Sequence, residues 1–300
     1  VVQHHEPVLV AEALELLAVR PGGLYVDGTV GLGGHARAIL ERSSPDGRLV
    51  ALDRDAETLA EAESRLEEFR ERSRFVHADF REIPALLERD DAEADGVLLD
   101  LGISSAQLDD AARGFSFQAD GPLDMRMDRT RGTTATDAVN RLGEEDLANV
   151  IYRFGEERRS RRIARAIVDA RRRSPLTTTG ELADLVRRTS RSSGRPGLDP
   201  ATRTFQALRI YVNRELEGLG VALDAIARRL RPGGRFVVIA FHSLEDREVK
   251  QAFRALGAEG YRLLTKKPVR PGDDEIRRNP RSRSARLRAV ERRPDLEAAA

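Results

Sequence analysis

A chain of 300 residues that is 40% hydrophobic and 34% charged is long enough for one large domain or two smaller ones with a real core. Its longest strong apolar run, FVVIAF at 236–241, is far short of the ~18–20 residues of a membrane helix, and VVQHHEPVLV lacks the basic-then-apolar order of a secretory signal. With no cysteine there is no disulfide, thiolate zinc site or thiolate nucleophile, so a reducing, cytoplasmic setting is expected; the net charge of +1 hides 16 Arg against 31 acids in residues 1–150 and 35 Lys+Arg against 19 acids in 151–300. That split predicts a face that meets a polyanion.

In chain order, LYVD at 24–27 reads as a short strand ending on Asp27. Glycines 28, 31, 33 and 34 follow, then a helical run over 34–42. Further strands are expected at RLVALD (48–53), RFVHAD (74–79) and GVLLDLG (96–102), with a charged helix at 56–72. Short apolar strands alternating with amphipathic helices predict an α/β fold with a doubly wound, Rossmann-like parallel sheet. From 106 to 213 the pattern is helical instead, with LANVIYRFG, RRIARAIVDARRR, GELADLVRR and ATRTFQALRIYVNREL. Helix starts are marked by Thr179 and by Asp199-Pro200, and SSGRPG at 192–197 reads as a loop. The strand RFVVIAF at 235–241 follows an Arg-Pro-Gly-Gly turn at 231–234, and YRLLTKK (261–267) and ARLRAVER (285–292) can complete the sheet. The expected organisation is a sheet domain from 1–105 and 214–293, an inserted all-helical domain from 106–213, and a tail at 294–300.

Four acids fall at the carboxyl ends of successive expected strands, Asp27, Asp53, Asp79 and Asp100, where open α/β sheets bind ligands. Asp53 follows Gly31 by 22 residues, close to the ~20-residue spacing that carries a carboxylate to ribose hydroxyls. The glycine order G-x-x-G-x-G-G is not the G-x-G-x-x-G of dinucleotide sites, and Asp27 would repel a pyrophosphate. It would suit the amino group and sulfonium of S-adenosylmethionine, and Asp79-Phe80 fits an adenine slot. A nicotinamide dinucleotide is the weaker reading. Asp100 opens Leu-Gly-Ile-Ser-Ser, where Asp100 and the backbone up to Ser104 and Ser105 would accept the protons of an aromatic amine and free its lone pair for methyl transfer. The alternative for Asp100 is a cofactor ligand alone. His242 lies on the binding edge after the 235–241 strand, and Ser243 with Asp246 resembles a capping box. No His/Asp/Glu set has metal-ligand spacing. Residues 153–195 hold 13 Arg against five acids, and 262–293 hold 12 Lys+Arg against four, as phosphate-contacting surfaces would.

Taken together, HHEPVLVAEAL (4–14), DGTVGLGGHARAIL (27–40), ALDRD (51–55), DGVLLDLGISSAQLDDAARGFSF (95–117), GPLDMRMD (121–128), the FGEER and RRIARAIV runs (154–168), PATRTFQALRIYVNREL (200–216), LRPGGRFVVIAFHSLEDREVK (230–250) and NPRSRSARLRAVER (279–292) closely resemble the bacterial 16S ribosomal RNA cytosine-N4 methyltransferase family. The resemblance implies a class I methyltransferase fold with a helical insert. It also implies S-adenosylmethionine as methyl donor, and as target the N4-amino group of one cytidine in the P-site region of 16S ribosomal RNA, within the small ribosomal subunit. Its cofactor contacts would fall on Gly33, Gly34, His35, Asp53, Phe80, Asp100 and Gln107, to which the residue pattern adds Asp27, Gly31 and Asp79. Asp100, Ser104, Ser105 and His242 are the candidate catalytic groups. Absence of cysteine excludes cytosine carbon-5 methylation through a thiolate adduct. The rival readings are a nicotinamide-linked oxidoreductase and a non-catalytic RNA-binding or assembly protein. No membrane partner is expected, and both monomer and homodimer remain open.

Overall fold

The computed structural model describes residues 7–190 and 199–294. His4, His5, the loop expected at 192–197 and the tail beyond Pro294 lie outside them. The chain first lays down α1 (Val10–Leu17), β1 (Leu24–Asp27), α2 (Gly34–Arg42), β2 (Arg48–Asp53), α3 (Ala56–Arg65), β3 (Ser73–His77), α4 (Ile83–Arg89) and β4 (Ala94–Asp100). Helices α5 (Ser105–Asp109), α6 (Ala135–Arg141), α7 (Glu144–Gly155), α8 (Ser160–Arg171), α9 (Thr179–Ser190) and α10 (Thr202–Asn213) follow. The chain then adds α11 (Leu219–Ala227), β5 (Leu230–Ala240), α12 (Ser243–Leu256), β6 (Tyr261–Leu263), α13 (Asp273–Arg278) and β7 (Arg286–Arg292). It divides into two units, one reaching Gly102 and resuming at Leu216, the other spanning Ile103–Glu215.

The first unit is a seven-stranded sheet in the order β3-β2-β1-β4-β5-β7-β6. β1 to β5 are parallel, and β7 is antiparallel to both β5 and β6. Alternation along each strand divides its side chains between two cores. Val26, Leu52, Val97, Leu99, Phe236 and Val238 enter one, while Tyr25, Leu49, Ala51, Leu98, Val237 and Ile239 enter the other. Both faces are therefore covered, which is why these strands read as continuous apolar runs. After β3 the chain crosses back to place β4 beside β1. This reversal opens the crevice at the strand ends where such sheets bind ligands.

Several boundaries move from their expected places. The Arg-Pro-Gly-Gly segment is a bulge inside β5 and not a preceding turn: Leu230 pairs with Ala94, and the next partner of β4, Arg235, pairs with Gly96. The helix expected over 56–72 ends at Arg65, where the buried Leu66 turns inward and a 3-10 turn carries the chain through Glu67–Arg72. β3 stops at His77, so Asp79 lies beyond the strand, as the cap of a 3-10 turn. α9 does begin at the expected Thr179, and its start is held by Thr178: the Thr178 Oγ1 accepts the Glu181 N–H, and Glu181 Oε2 accepts the Thr177 and Thr178 N–H groups.

Among its described residues, the regular structure of the second unit is helical apart from an isolated bridge between Pro122 and Thr178. α8 shows how its sequence folds. Ile163, Ala164, Ile167 and Val168 recur at helical spacing and are buried, and each fully buried isoleucine contributes about 1.5–3 kcal/mol. Arg161, Arg162 and Arg165 are accordingly exposed on its outward side, while Arg171 at its end is half-buried. Gly155, at the end of α7, lies against α10 so closely that an added Cβ would stand 2.4 Å from the Arg203 carbonyl oxygen. Backbone cannot yield there as a flexible side chain would. Gly155→Ala is expected to lower stability by about 1–3 kcal/mol, read as a shift of the urea midpoint at unchanged slope.

Candidate active site

The carboxyl ends of β2, β1 and β4 and the start of α12, which follows β5, set four carboxylates side by side: Asp53, Asp27, Asp100 and Glu245. Asp27 is buried, and its Oδ1 accepts the Thr29 N–H at 3.1 Å. Asp53 receives the Gly31 N–H on Oδ2 at 3.0 Å and the Asp55 N–H on Oδ1 at 2.9 Å. Thr29 ties two strand ends together, its Oγ1 accepting the Asp100 N–H at 2.6 Å. Oδ2 of Asp27 and Oδ1 of Asp100 are buried without a hydrogen-bond partner among the described residues.

Desolvation dominates the electrostatics of this edge. Burial, with a smaller contribution from the Asp53 charge, pushes Asp27 up to about 7 despite the Thr29 N–H. Burial likewise lifts Asp53 to about 6 against the opposing Asp55 and Gly31 N–H groups. Asp100 is held well above the usual carboxylate range by burial first, then by the Asp27 and Glu245 charges. A carboxylate edge of this kind is completed by a cation or by N–H and O–H donors.

The glycine loop has reasons of its own. A Cβ on Gly28 would meet Leu99 Cδ2 at 2.4 Å and Ile83 Cδ1 at 2.8 Å. Gly33 caps α2 at φ +85°, in the left-handed region, and Gly34 lies against Pro7. Close packing and turn geometry thus already require these three glycines, before any ligand is considered. His35 is buried: its Nε2 lies 2.9 Å from the Val8 carbonyl oxygen and its Nδ1 3.7 Å from Asp100 Oδ2.

Other expected site residues have structural duties. Asp79 is a capping residue whose two oxygens both accept from Arg81 Nη1, at 2.9 and 3.0 Å, so an adenine amino group would have to share it. Phe80 is core-packed and carries the Arg81 guanidinium 4.6 Å from its ring centroid. His242 is the N-cap of α12: its Nδ1 accepts the Glu245 N–H at 3.3 Å, its Nε2 lies 3.1 Å from Glu245 Oε1, and Glu245 Oε2 accepts the Phe241 and His242 N–H groups. The capping box is therefore His242–Glu245 and not Ser243–Asp246; Asp246 pairs with the buried Arg288 at 2.7 Å. In the second unit, Ser104 caps α5, which begins at Ser105: Ser104 Oγ accepts the Gln107 N–H, and Gln107 Oε1 accepts the Ser104 N–H. Thr29 and Glu245 were missed in the sequence. The i, i+3 spacing of His242 and Glu245 signalled the latter, whereas nothing local marks the cross-strand bond of Thr29.

Asp27 holds its proton more tightly folded than unfolded. Its contribution to stability is complete below the ordinary value of 3.8 and is lost as pH rises through about 7. Asp27→Asn is therefore expected to raise the melting temperature of the ligand-free protein at pH 8, and by a smaller margin at pH 5. Calorimetry at the two pH values checks the sign.

Comparison with known proteins agrees with this geometry. Residues 2–293 match the model of the MraW methylase family. "Ribosomal RNA small subunit methyltransferase H" of Syntrophobacter fumaroxidans is 53% identical, with 96% of each chain covered. The protein of the same name from Acidobacterium capsulatum is 50% identical, covering 97% of this chain and 99% of its own, and that from Thermomicrobium roseum is 51% identical, covering 96% and 93%. A nicotinamide-linked oxidoreductase and a non-catalytic binding protein are thereby set aside. An acidic strand-end site of this form, on a chain matched along nearly its whole length, leads to one assignment: the chain belongs to the MraW methylase family and is a methyltransferase whose methyl donor is S-adenosylmethionine.

Proposed function

We propose that this enzyme methylates the N4-amino group of a cytidine in the P-site region of small-subunit 16S ribosomal RNA, acting in the cytoplasm, with the small ribosomal subunit as the partner that presents the RNA. The observation that carries the reading is the pair of buried, unpartnered oxygens, Asp27 Oδ2 and Asp100 Oδ1, on neighbouring strands. They fit the cofactor chemically, because carboxylates without donors suit an ammonium group, a sulfonium and ribose hydroxyls. Gly31, Gly33, Gly34 and His35 would border its methionine end, Asp27 would accept from its amino group, Asp53 from its ribose, and Phe80 would face its adenine, with Asp79 and Gln107 as further contacts. When bound, the cofactor supplies an electrophilic methyl on a positively charged sulfur.

The chain's own groups do the rest. Asp100, ionised beside a cationic ligand, accepts an N–H of the cytosine amine and turns the nitrogen lone pair away from ring conjugation. The backbone from Leu101 to Ser105 supplies further acceptors. The raised proton affinity of Asp100 then suits it to take the proton that the amine loses. His242 and Glu245 hold the turn after β5 rigid, which keeps Glu245 beside Asp100. In the second unit Arg158, Arg161 and Arg162 have no acidic partner among the described residues and are proposed to meet phosphates. Arg171, by contrast, is turned inward to the Val139 and Leu142 carbonyls, both at 2.7 Å. A base stacked in RNA has to be splayed out to reach Asp100.

The test incubates the enzyme with tritiated S-adenosylmethionine and small subunits from a strain lacking it, then maps the labelled nucleoside. Label on N4 of one cytidine is expected, and label on a ring carbon or a ribose sinks the reading. Asp100→Asn should lower kcat by about 10²–10⁴-fold while RNA affinity stays within a few-fold of wild type.

A further inference from the structure

Most arginines of the first unit are paired with acids, including Arg20, Arg37, Arg65, Arg70, Arg74, Arg228, Arg235 and Arg292. One group is not. Lys266, Lys267, Arg270, Arg283 and Arg286 have no acidic partner among the described residues, and all but the half-buried Arg286 are exposed. The fold gathers these five. Arg286 opens β7 opposite Ala240, the last residue of β5, and Ile239, one residue earlier, pairs with Asp100. The segment after β6 runs back along β7: the Leu264 N–H bonds to the Ala289 carbonyl, and Val269 and Leu287 exchange both backbone bonds. That register sets Arg270 abreast of Arg286 and pushes Lys266 and Lys267 outward as a short loop. The 3-10 turn Pro280–Ser284, anchored by the buried Ser282, delivers Arg283 just before β7.

The five cations thus cluster on the same sheet edge as the carboxylates, with Arg286 two strands from Asp100, or about 10 Å between backbones. Their mutual repulsion is not offset by an ion pair to any acid among the described residues, whereas the arginines at the far end of the sheet, Arg65, Arg70 and Arg74, are each paired. From this we infer that the edge formed by Lys266, Lys267, Arg270, Arg283 and Arg286 binds the phosphates of the RNA strand flanking the target nucleotide, so that the first unit itself grips the substrate beside Asp100. The inference rests on the proposed function and adds the surface that this reading leaves unnamed. Anionic RNA would neutralise the cations while the neutral base reaches the acidic floor. The edge thereby separates two charges that one pocket could not hold together.

The experiment compares full-length wild type with Lys266→Gln/Lys267→Gln/Arg270→Gln/Arg283→Gln. Affinity for protein-free small-subunit ribosomal RNA is measured across a salt series, beside S-adenosylmethionine binding by calorimetry and turnover on assembled subunits. Each lost contact to a single strand should reduce the slope of log K against log salt by about 0.7, so a drop approaching 3 is expected. Cofactor affinity should be unchanged, and kcat/KM should fall with kcat at saturation retained. The exposed pair Lys266→Gln/Lys267→Gln, which keeps the larger side chains in place, should give about half that change. Arg65→Gln/Arg70→Gln/Arg74→Gln, on paired arginines far along the sheet, should give none. An unchanged slope in both variants overturns the inference. So does a variant that binds protein-free RNA normally but loses assembled subunits, since the edge would then contact a ribosomal protein. Failure of wild type to methylate the RNA at all is a separate outcome, and it sinks the proposed function.

Discussion

Four carboxylates crowd one low-dielectric sheet edge, and the rest of the first unit is arranged to tolerate them. Parallel strands leave no choice about where their carboxyl ends go: β2, β1, β4 and β5 all finish on the same side. Asp53, Asp27, Asp100 and Glu245 are therefore neighbours although Asp27 and Glu245 stand more than two hundred residues apart in sequence. Burial and neighbouring acids raise the proton affinity of Asp27, Asp53 and Asp100, and the ligand-free protein meets that strain by retaining protons there. A cationic cofactor held at this edge, as proposed, would relieve the same strain directly. Binding there and protonation would thus be alternative ways to stabilise one edge.

The surroundings explain how such an edge survives. Both faces of the sheet are covered by large apolar cores, whose burial outweighs a locally unfavourable site. Backbone N–H groups from the turns after β1 and β2 bond to Asp27 and Asp53, and Thr29 couples the ends of β1 and β4. The glycines allow the loop to pass within van der Waals reach of Leu99, Ile83 and Pro7. They hold the loop in its place before any ligand arrives, so the site is preorganised by packing.

Charge of the opposite sign is sorted by what it touches. Arginine is abundant along the whole chain, and its abundance alone says little. Arg171 reaches the carbonyls at the end of α6, Arg288 locks α12 to β7 through Asp246, and Arg113 donates to the Arg126 and Met127 carbonyls. These are structural members, and losing one would leave carbonyls or a carboxylate unsatisfied. Exposed arginines with no such partner among the described residues, such as Arg158, Arg161, Arg162, Arg270 and Arg283, are a separate population, and a polyanion would complete their charge.

The sequence by itself determined the alternating strands and helices, the interruption by a helical segment, the strand-end acids Asp27, Asp53 and Asp100, and the choice of an adenosyl cofactor over a dinucleotide. These follow from periodicity and from residue chemistry close along the chain, which local physics governs. Only the tertiary structure decided what depends on partners distant in sequence. It made Asp79 a cap held by Arg81, paired His242 with Glu245, and turned the 231–234 segment into a bulge of β5. It supplied Thr29 as the link between strands, gave packing reasons to Gly28 and Gly34, and separated paired from unpaired arginines. A hydrogen bond across strands or an ion pair across helices leaves no periodic mark in the sequence. Its energy appears only when folding brings the two groups within about 3 Å of each other.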